Sequence, residues 1–186
     1  NRRYTSSSPE TYMPFQADAL GCPAMAPLGE GYHTIYSINP HDEKGGIDWD
    51  PEEFDRLYKR ITGKIYENRA KIGRTERFML DDAEYALIAY GSEVRPAIEA
   101  AQMARESGIK AGVLKLCNVW PVPVEPILEV CKNSRKVFTV EMNIGKYCAE
   151  IERIAGGHCQ SGRITKNRGL VHTPAEILFA LKEGIK

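Results

Sequence analysis

The stretch Tyr85-Ala86-Leu87-Ile88-Ala89-Tyr90-Gly91-Ser92-Glu93-Val94-Arg95-Pro96-Ala97-Ile98 decides the fold. Its first six residues are a continuous apolar run of strand length, with no charged position to mark a solvent face. Gly91-Ser92-Glu93 turns the chain, and Val94, Ala97, Ile98, Ala101 and Ala104 then share one helical face as far as Gly108. The same order of strand, turn and helix repeats downstream. Residues 112–116 form a second strand, and Pro121, Pro123 and Pro126 impose an extended loop before a short helix carrying Ile127, Leu128 and Val130. Val137-Phe138-Thr139-Val140 is a third strand. Ile144, Tyr147, Cys148, Ile151, Ile154 and Ala155 make a helical stripe closed by Gly156-Gly157, and a weaker strand lies at 161–165. The last helix opens at Thr173-Pro174-Ala175-Glu176, which combines an N-cap, a first-turn proline and a capping-box acid, and carries Ile177, Leu178, Ala180 and Leu181. Nearly all-apolar strands alternating with helices predict an α/β fold: a three-layer, doubly wound, mostly parallel sheet covered on both faces.

Upstream the pattern is different. Residues 1–46 hold five of the 11 prolines and five of the 16 glycines, with no sustained period of two or 3.6. Tyr12, Phe15, Met25, Leu28, Tyr32, Ile35, Tyr36 and Ile38 are too many apolar side chains for a free linker, so this arm is expected to lie across a surface of a larger protein. A helix starts at Asp50-Pro51-Glu52-Glu53 and carries Phe54, Leu57, Tyr58, Ile61 and Ile65 on one face. Its other face turns basic through Lys59, Arg60, Lys64, Arg69, Lys71 and Arg74, and is read as a solvated face with cations at the favourable helix end. The expected organisation is an irregular arm over 1–49, a connecting helix over 50–78 and an α/β domain over 79–186.

Composition narrows the function classes. In 186 residues, 42% of them hydrophobic, 25 Lys and Arg balance 25 Asp and Glu, without a long block of one sign. Nucleic acid and anionic membrane are therefore not expected as partners. No apolar run approaches the roughly 18 residues of a membrane span. Cys22, Cys117, Cys131, Cys148 and Cys159 are odd in number and show neither C-x-x-C nor the short spacings of a disulfide or iron–sulfur scaffold, which fits a reduced, cytoplasmic setting. Residue 1 is Asn, so the chain is expected to be a piece of a longer polypeptide.

In a doubly wound sheet, ligands and partners meet the carboxyl ends of the strands. Here those ends are Gly91-Ser92-Glu93, Cys117-Asn118-Val119-Trp120 and Glu141-Met142-Asn143-Ile144-Gly145. A single Gly91 is not a G-x-G-x-x-G fingerprint, and no P-loop motif occurs. Ser92 reads as an N-cap before it reads as an anion ligand. Glu141, at a strand end beside Asn143, is either a general acid or base or a cap that completes the turn. Cys148, His158 and Cys159 do not make the close pairs of a tetrahedral metal site, so no metal is expected. His41-Asp42-Glu43, leading to Gly45-Gly46, is a compact polar cluster, either a turn with self-capping acids or a site. Two other classes stay open: a free-standing α/β module that captures an anion or nucleotide at its helix N-termini, and a thiol redox protein.

Several short motifs, in order, resemble one family. They are Pro9-Glu10-Thr11-Tyr12-Met13-Pro14-Phe15, Met25-Ala26-Pro27-Leu28-Gly29-Glu30-Gly31-Tyr32, His41-Asp42-Glu43-Lys44-Gly45, Ala89-Tyr90-Gly91-Ser92 and Trp120-Pro121-Val122-Pro123, followed by Val140-Glu141-Met142-Asn143-Ile144-Gly145 and His172-Thr173-Pro174-Ala175-Glu176-Ile177. Together they look like the C-terminal part of the alpha subunit of 2-oxoacid:ferredoxin oxidoreductases, most like the 2-oxoglutarate type. Residues 80–186 resemble the C-terminal domain of transketolase-like thiamine enzymes. The resemblance implies a complex that decarboxylates a 2-oxoacid on thiamine diphosphate and Mg, passes electrons through a 4Fe-4S cluster to ferredoxin, and makes an acyl-CoA. It also implies a beta subunit that holds the diphosphate through a Gly-Asp-Gly motif, which does not occur here, and further small subunits. No cofactor is then expected on this stretch alone. Its implied work is assembly and active-site shaping, with Gly91, Ser92, Glu93, Asn118, Trp120, Glu141, Met142, Asn143, His41, Asp42 and Glu43 as candidate interface or active-site-facing residues. The run Arg163-Ile164-Thr165-Lys166-Asn167-Arg168-Gly169 is more basic than the family pattern leads one to expect, which leaves room for a different partner surface.

Overall fold

The computed structural model describes residues 2–36 and 38–186. The chain divides into two compact units, Asn1–Asn68 and Arg69–Lys186.

The amino-terminal unit holds one long helix, α1 (Pro51–Tyr66), preceded by irregular chain. Asp50 caps the helix, accepting from the amides of Glu52 and Glu53 at 2.9 and 3.1 Å, and Pro51 fills the first position, where its missing N–H costs nothing. No residue of α1 is buried. Before it, three isolated bridges (Tyr4 with Met25, Ala17 with Pro23, His41 with Ile47) and side-chain clasps such as Tyr12 Oη to the Ala24 carbonyl (2.8 Å) hold the arm.

The second unit contains α2 (Arg69–Ile72), β1 (Thr75–Phe78), β2 (Tyr85–Tyr90), α3 (Val94–Glu106), β3 (Ala111–Leu116), α4 (Val124–Asn133), β4 (Lys136–Glu141), α5 (Lys146–Ala155), β5 (Gln160–Thr165) and α6 (Pro174–Gly184). The sheet order is β1-β3-β2-β4-β5. β2 pairs in parallel with β3 on one side (Leu87 opposite Val113) and with β4 on the other (Leu87 opposite Phe138), while β5 extends the parallel set. This is the doubly wound, mostly parallel architecture that the periodicity predicts.

Period-two alternation sorts each strand between two cores. Leu87, Ala89, Val113, Phe138 and Val140 join α3 and α6 on one face, and Ala86, Ile88, Leu114, Leu116 and Val137 join α4 and α5 on the other. Gly112 has a specific reason to be glycine: a Cβ there would lie 2.5 Å from the Met79 carbonyl oxygen and 2.8 Å from Leu80 Cδ2. Arg105 ties down the same crossing, donating to the carbonyls of Met79 (2.7 Å) and Ala111 (2.6 Å) and to Asp82.

Three local expectations need correction. The helix expected to run through 78 instead ends at Tyr66, followed by the single turn of α2 and by β1, an antiparallel edge strand on β3 (Phe78 opposite Val113). Thr75-Glu76-Arg77-Phe78 carries charge on an edge, where only one face needs apolar cover, so it lacks the all-apolar signature of the central strands. Ser92 is not a helix cap: Gly91–Glu93 forms a 3-10 turn, and the residue before α3 is Glu93, whose side chain makes no cap hydrogen bond. The helix read from Ile144 begins at Lys146, because the turn before it leaves Ile144 72% exposed.

Candidate functional site

The topology singles out one end of the sheet. From β2 the chain winds to β3 on one side, then crosses back to β4 on the other, so the strand order reverses between β2 and β4. The carboxyl ends of these two strands therefore flank the switch point of the doubly wound sheet, where ligand crevices form in such folds. Tyr90 ends β2 and Glu141 ends β4.

The two are joined. Tyr90 Oη donates to Glu141 Oε2 at 2.8 Å, and Asn143 Nδ2 donates to the same oxygen at 2.7 Å and to Tyr90 Oη at 3.1 Å. The backbone amides of Tyr147 and Cys148 complete the shell at 3.1 and 3.0 Å. Those amides belong to the first turn of α5, whose own cap position is Gly145 in the left-handed region (φ 95°) with no side chain to cap it. Glu141 does the capping from four residues upstream, and Asn143 Oδ1 assists by accepting from the Gly145 and Lys146 amides at 2.8 and 2.9 Å.

Electrostatics follow from this geometry. Burial works against the Glu141 carboxylate, yet the hydrogen bonds from the Cys148 thiol and amide, Tyr90 and Asn143 together hold its pKa below the ordinary value. The Tyr90 hydroxyl is pushed well up, first by burial and then by the carboxylate it serves. The Cys148 thiol rises to about 12 for the same two reasons. A fully buried carboxylate with both oxygens engaged holds a helix in place, and no open lone pair is left to abstract a proton. Of the two readings of Glu141, the structure favours the cap.

The other acid of the edge is also turned inward. Glu93 Oε2 lies 3.0 Å from His172 Nδ1, and Glu93 Oε1 accepts from the His172 amide at 3.3 Å, with both side chains buried. The pair joins the turn after β2 to the lead-in of α6. Asn118 secures the loop after β3, accepting from the Arg74 amide (2.9 Å) and donating to the Pro121 carbonyl (3.1 Å). Gly91, Ser92, Trp120 and Met142 remain at the surface of this edge.

The strand-end candidates therefore come together, whereas His41, Asp42 and Glu43 belong to the amino-terminal unit. Asp42 Oδ1 accepts from the Lys44 and Gly46 amides at 2.9 and 2.8 Å, closing a turn, and the His41 ring stacks on Phe15 at 3.8 Å. These three residues line a cavity of about 280 Å³ with Asp18, Glu53 and Arg56, of which Glu53 and Arg56 pair with each other. Two cations of the basic run that begins in β5 are paired within the unit: Arg163 with Glu152 (2.6 Å to Oε2) and Lys166 with Glu176 (2.8 Å). Among the described residues no group of three metal-ligating side chains converges.

Sequence reasoning did not single out Tyr90, His172 or the hydrogen bonds that Cys148 gives Glu141. Tyr90 carried a faint signal, a polar tip ending an apolar strand. The partner of His172 stands far away in sequence, and nothing local announces it.

Comparison with known proteins agrees with this architecture. The family model for pyruvate:ferredoxin oxidoreductase core domain II matches residues 83–177. The chain is 37% identical over 178 residues to 2-oxoglutarate synthase subunit KorA of Methanothermobacter thermautotrophicus, a match spanning 95% of this chain and 47% of that protein. Its identity to the KorA subunit of Methanocaldococcus jannaschii is 35%, over 88% of this chain and 44% of the relative. The chain thus spans about half the length of the curated relatives it matches. The fold superposes with a TM-score of 0.73, at 21% identity, on 2-oxoglutarate:ferredoxin oxidoreductase from Magnetococcus marinus, covering all of this chain and 32% of that one. With its doubly wound sheet and its capped strand-end loops matched in sequence from 83 to 177, the chain belongs to the pyruvate:ferredoxin oxidoreductase core domain II family.

Proposed function

We propose that this chain is the C-terminal region of the alpha subunit of a thiamine diphosphate-dependent 2-oxoglutarate:ferredoxin oxidoreductase, and that its work there is assembly and the shaping of an active site built on other domains. The reaction of the whole would convert a 2-oxoacid, CoA and oxidised ferredoxin to an acyl-CoA, CO2 and reduced ferredoxin. One observation carries the assembly role. The carboxyl edge of the sheet combines a hydrogen-bonded interior with an apolar rim: Val119, Trp120, Met142, Ile144, Leu170 and Val171, from three separate loops, are 39–72% exposed. Exposed apolar side chains in the loops along this carboxyl edge, beside acids that are already satisfied, suit a protein surface better than a small polar substrate.

The chemistry of the donor set bears on the cofactors. Thiamine diphosphate and its Mg need open carboxylate or amide oxygens. At this edge Glu141 is committed to a helix, Glu93 to His172 and Asn143 to a turn, so these residues do not fit that group. A beta subunit carrying the cofactor, a 4Fe-4S cluster, CoA and ferredoxin belong to the proposed complex as a whole, and the setting we propose is cytoplasmic.

The test is to purify the native protein anaerobically and assay 2-oxoacid- and CoA-dependent reduction of a viologen dye. Activity that follows a longer chain and a partner subunit, with 2-oxoglutarate preferred, is expected. Retention of full assembly and turnover by a Trp120→Asp, Ile144→Asp double variant would overturn the assembly role.

A further inference from the structure

The two edges of the sheet are built differently. β1, at one end, is a strand of 4 residues carrying Glu76 and Arg77, and short charged strands keep an edge from pairing. β5 closes the other end with 6 residues, Gln160-Ser161-Gly162-Arg163-Ile164-Thr165, which hold no proline and stay in unbroken register with β4. Its backbone amides alternate in direction. Gln160 N and Lys166 N reach the carbonyls of Arg135 and Glu141 at 3.3 and 3.2 Å, so the amides of Gly162 and Ile164 also face β4, and those of Ser161, Arg163 and Thr165 point off the sheet. Among the described residues no strand pairs on that side, and these three residues are exposed. The single charge of the strand is already matched, because Arg163 donates to Glu152 (2.6 Å to Oε2).

We propose that β5 pairs antiparallel with β5 of a second copy of this chain, about a two-fold axis through Gly162, so that the two sheets become one. The proposal goes beyond the oxidoreductase reading and stands or falls without it. Charge and size select the register. Residues with outward amides must face one another, and an axis at Arg163 would set two like charges opposite each other. With the axis at Gly162, each Arg163 faces the small Ser161 of the other copy, and each such pair exchanges two N–H···O bonds. Gly162 then faces Gly162, where no side chain holds the backbones apart; on its own sheet face the Phe138 ring fills the space, 2.6 Å from where a Cβ would stand.

A neighbouring helix supplies the apolar contact that strand pairing alone lacks. α6 packs on the face of β5 that carries Ile164, and its Glu176 holds Lys166, the residue after β5, at 2.8 Å. Phe179, three residues on and on the same side of α6, is 68% exposed. An axis that joins two strand edges stands perpendicular to the sheet, so both copies of α6 lie on one face, and a Phe179 from each flanks the seam.

The test counts copies of this chain in the purified native protein by sedimentation equilibrium and reads amide hydrogen exchange along β5. Two copies per particle, with slow exchange at Ser161 and Arg163, are expected. Ser161→Pro removes an outward N–H without touching the β4 ladder; it should leave one copy per particle, speed exchange at Arg163 and keep the circular dichroism of the native protein. Ser161→Lys, which puts a charge on the edge, should give the same result and serves if the proline variant does not fold. Phe179→Asp should raise the concentration at which the particle dissociates by about tenfold or more. Fast exchange at Ser161 and Arg163 in the native particle would overturn the proposal, as would two copies persisting in both Ser161 variants. Slow exchange in a particle that holds one copy would also overturn it, because the edge would then belong to a different chain.

Discussion

The two units of this chain use apolar residues in opposite ways. In Arg69–Lys186 they fall at periods of two and 3.6, and, Pro14 apart, every buried aliphatic, aromatic or thiol side chain of the described structure lies between Leu80 and Leu181. In Asn1–Asn68 they are abundant but aperiodic, and Leu28, Tyr36, Ile38, Trp49 and Tyr58 are each more than half exposed. Apolar content alone does not make a core. A core requires side chains spaced so that one face of each element meets one face of another. The amino-terminal unit has the content and one amphipathic helix, but no residue of that helix is buried.

The sharpest way to break this contrast is to truncate matching residues in the two units. Ile88→Ala, at a fully buried site between two parallel neighbours, should cost about 2 to 5 kcal/mol in urea unfolding, whereas Ile38→Ala, fully exposed, should stay within about 0.5 kcal/mol. Comparable costs at the two positions would remove the distinction.

Next in size is the buried cap. Glu141→Ala strands the Tyr90 hydroxyl, the Asn143 amide and two helix amides, and should destabilise the second unit by roughly 2 to 4 kcal/mol. Because the folded pKa of Glu141 lies below the ordinary value near 4.5, its contribution is fully present above that value and is lost as the pH falls through the lower, folded one. Unfolding measured against pH should therefore fall away on the acid side, and Glu141→Gln should flatten that limb. An unchanged acid limb would show that the carboxylate is not held in its charged form.

Helix caps sharpen the comparison further. Thr173→Ala removes one half of a capping box in the second unit and should lower its stability by about 1 kcal/mol. Asp50→Ala removes an equally well-formed cap from α1, where nothing is buried; it should lower helicity by circular dichroism while leaving the main unfolding transition in place. A shift of that transition would mean that α1 is energetically part of the second unit. The smallest effect expected is at the exposed Arg77–Glu129 pair (2.9 Å), where removal of either partner should change stability by less than about 1 kcal/mol.

What could be read from sequence follows the same line. The central strands, their helices and the Pro51 and Pro174 starts were legible because each rests on neighbours within a few residues. The edge strand β1 was not, since charged Glu76 and Arg77 are recruited by pairing with β3 rather than by any pattern of their own. At the site, Glu141 and Asn143 were legible as a strand-end pair, but their chemistry was not: whether a carboxylate caps or catalyses depends on which donors surround it. Ser92 shows the converse, a good cap residue left unused because the chain enters α3 through a 3-10 turn.

The sequence by itself determined the alternation of elements, the sheet class, the positions of the strand-end loops and the lack of a periodic core before α1. These rest on local spacing, propensity and capping, which act over one or two turns. Only the tertiary structure decided that Tyr90 meets Glu141 and that Glu93 closes on His172. Each pair is separated by at least one whole strand or helix, and what joins its members is the order of strands in the sheet, set by how two hydrophobic faces are buried at once rather than by any residue's immediate neighbours.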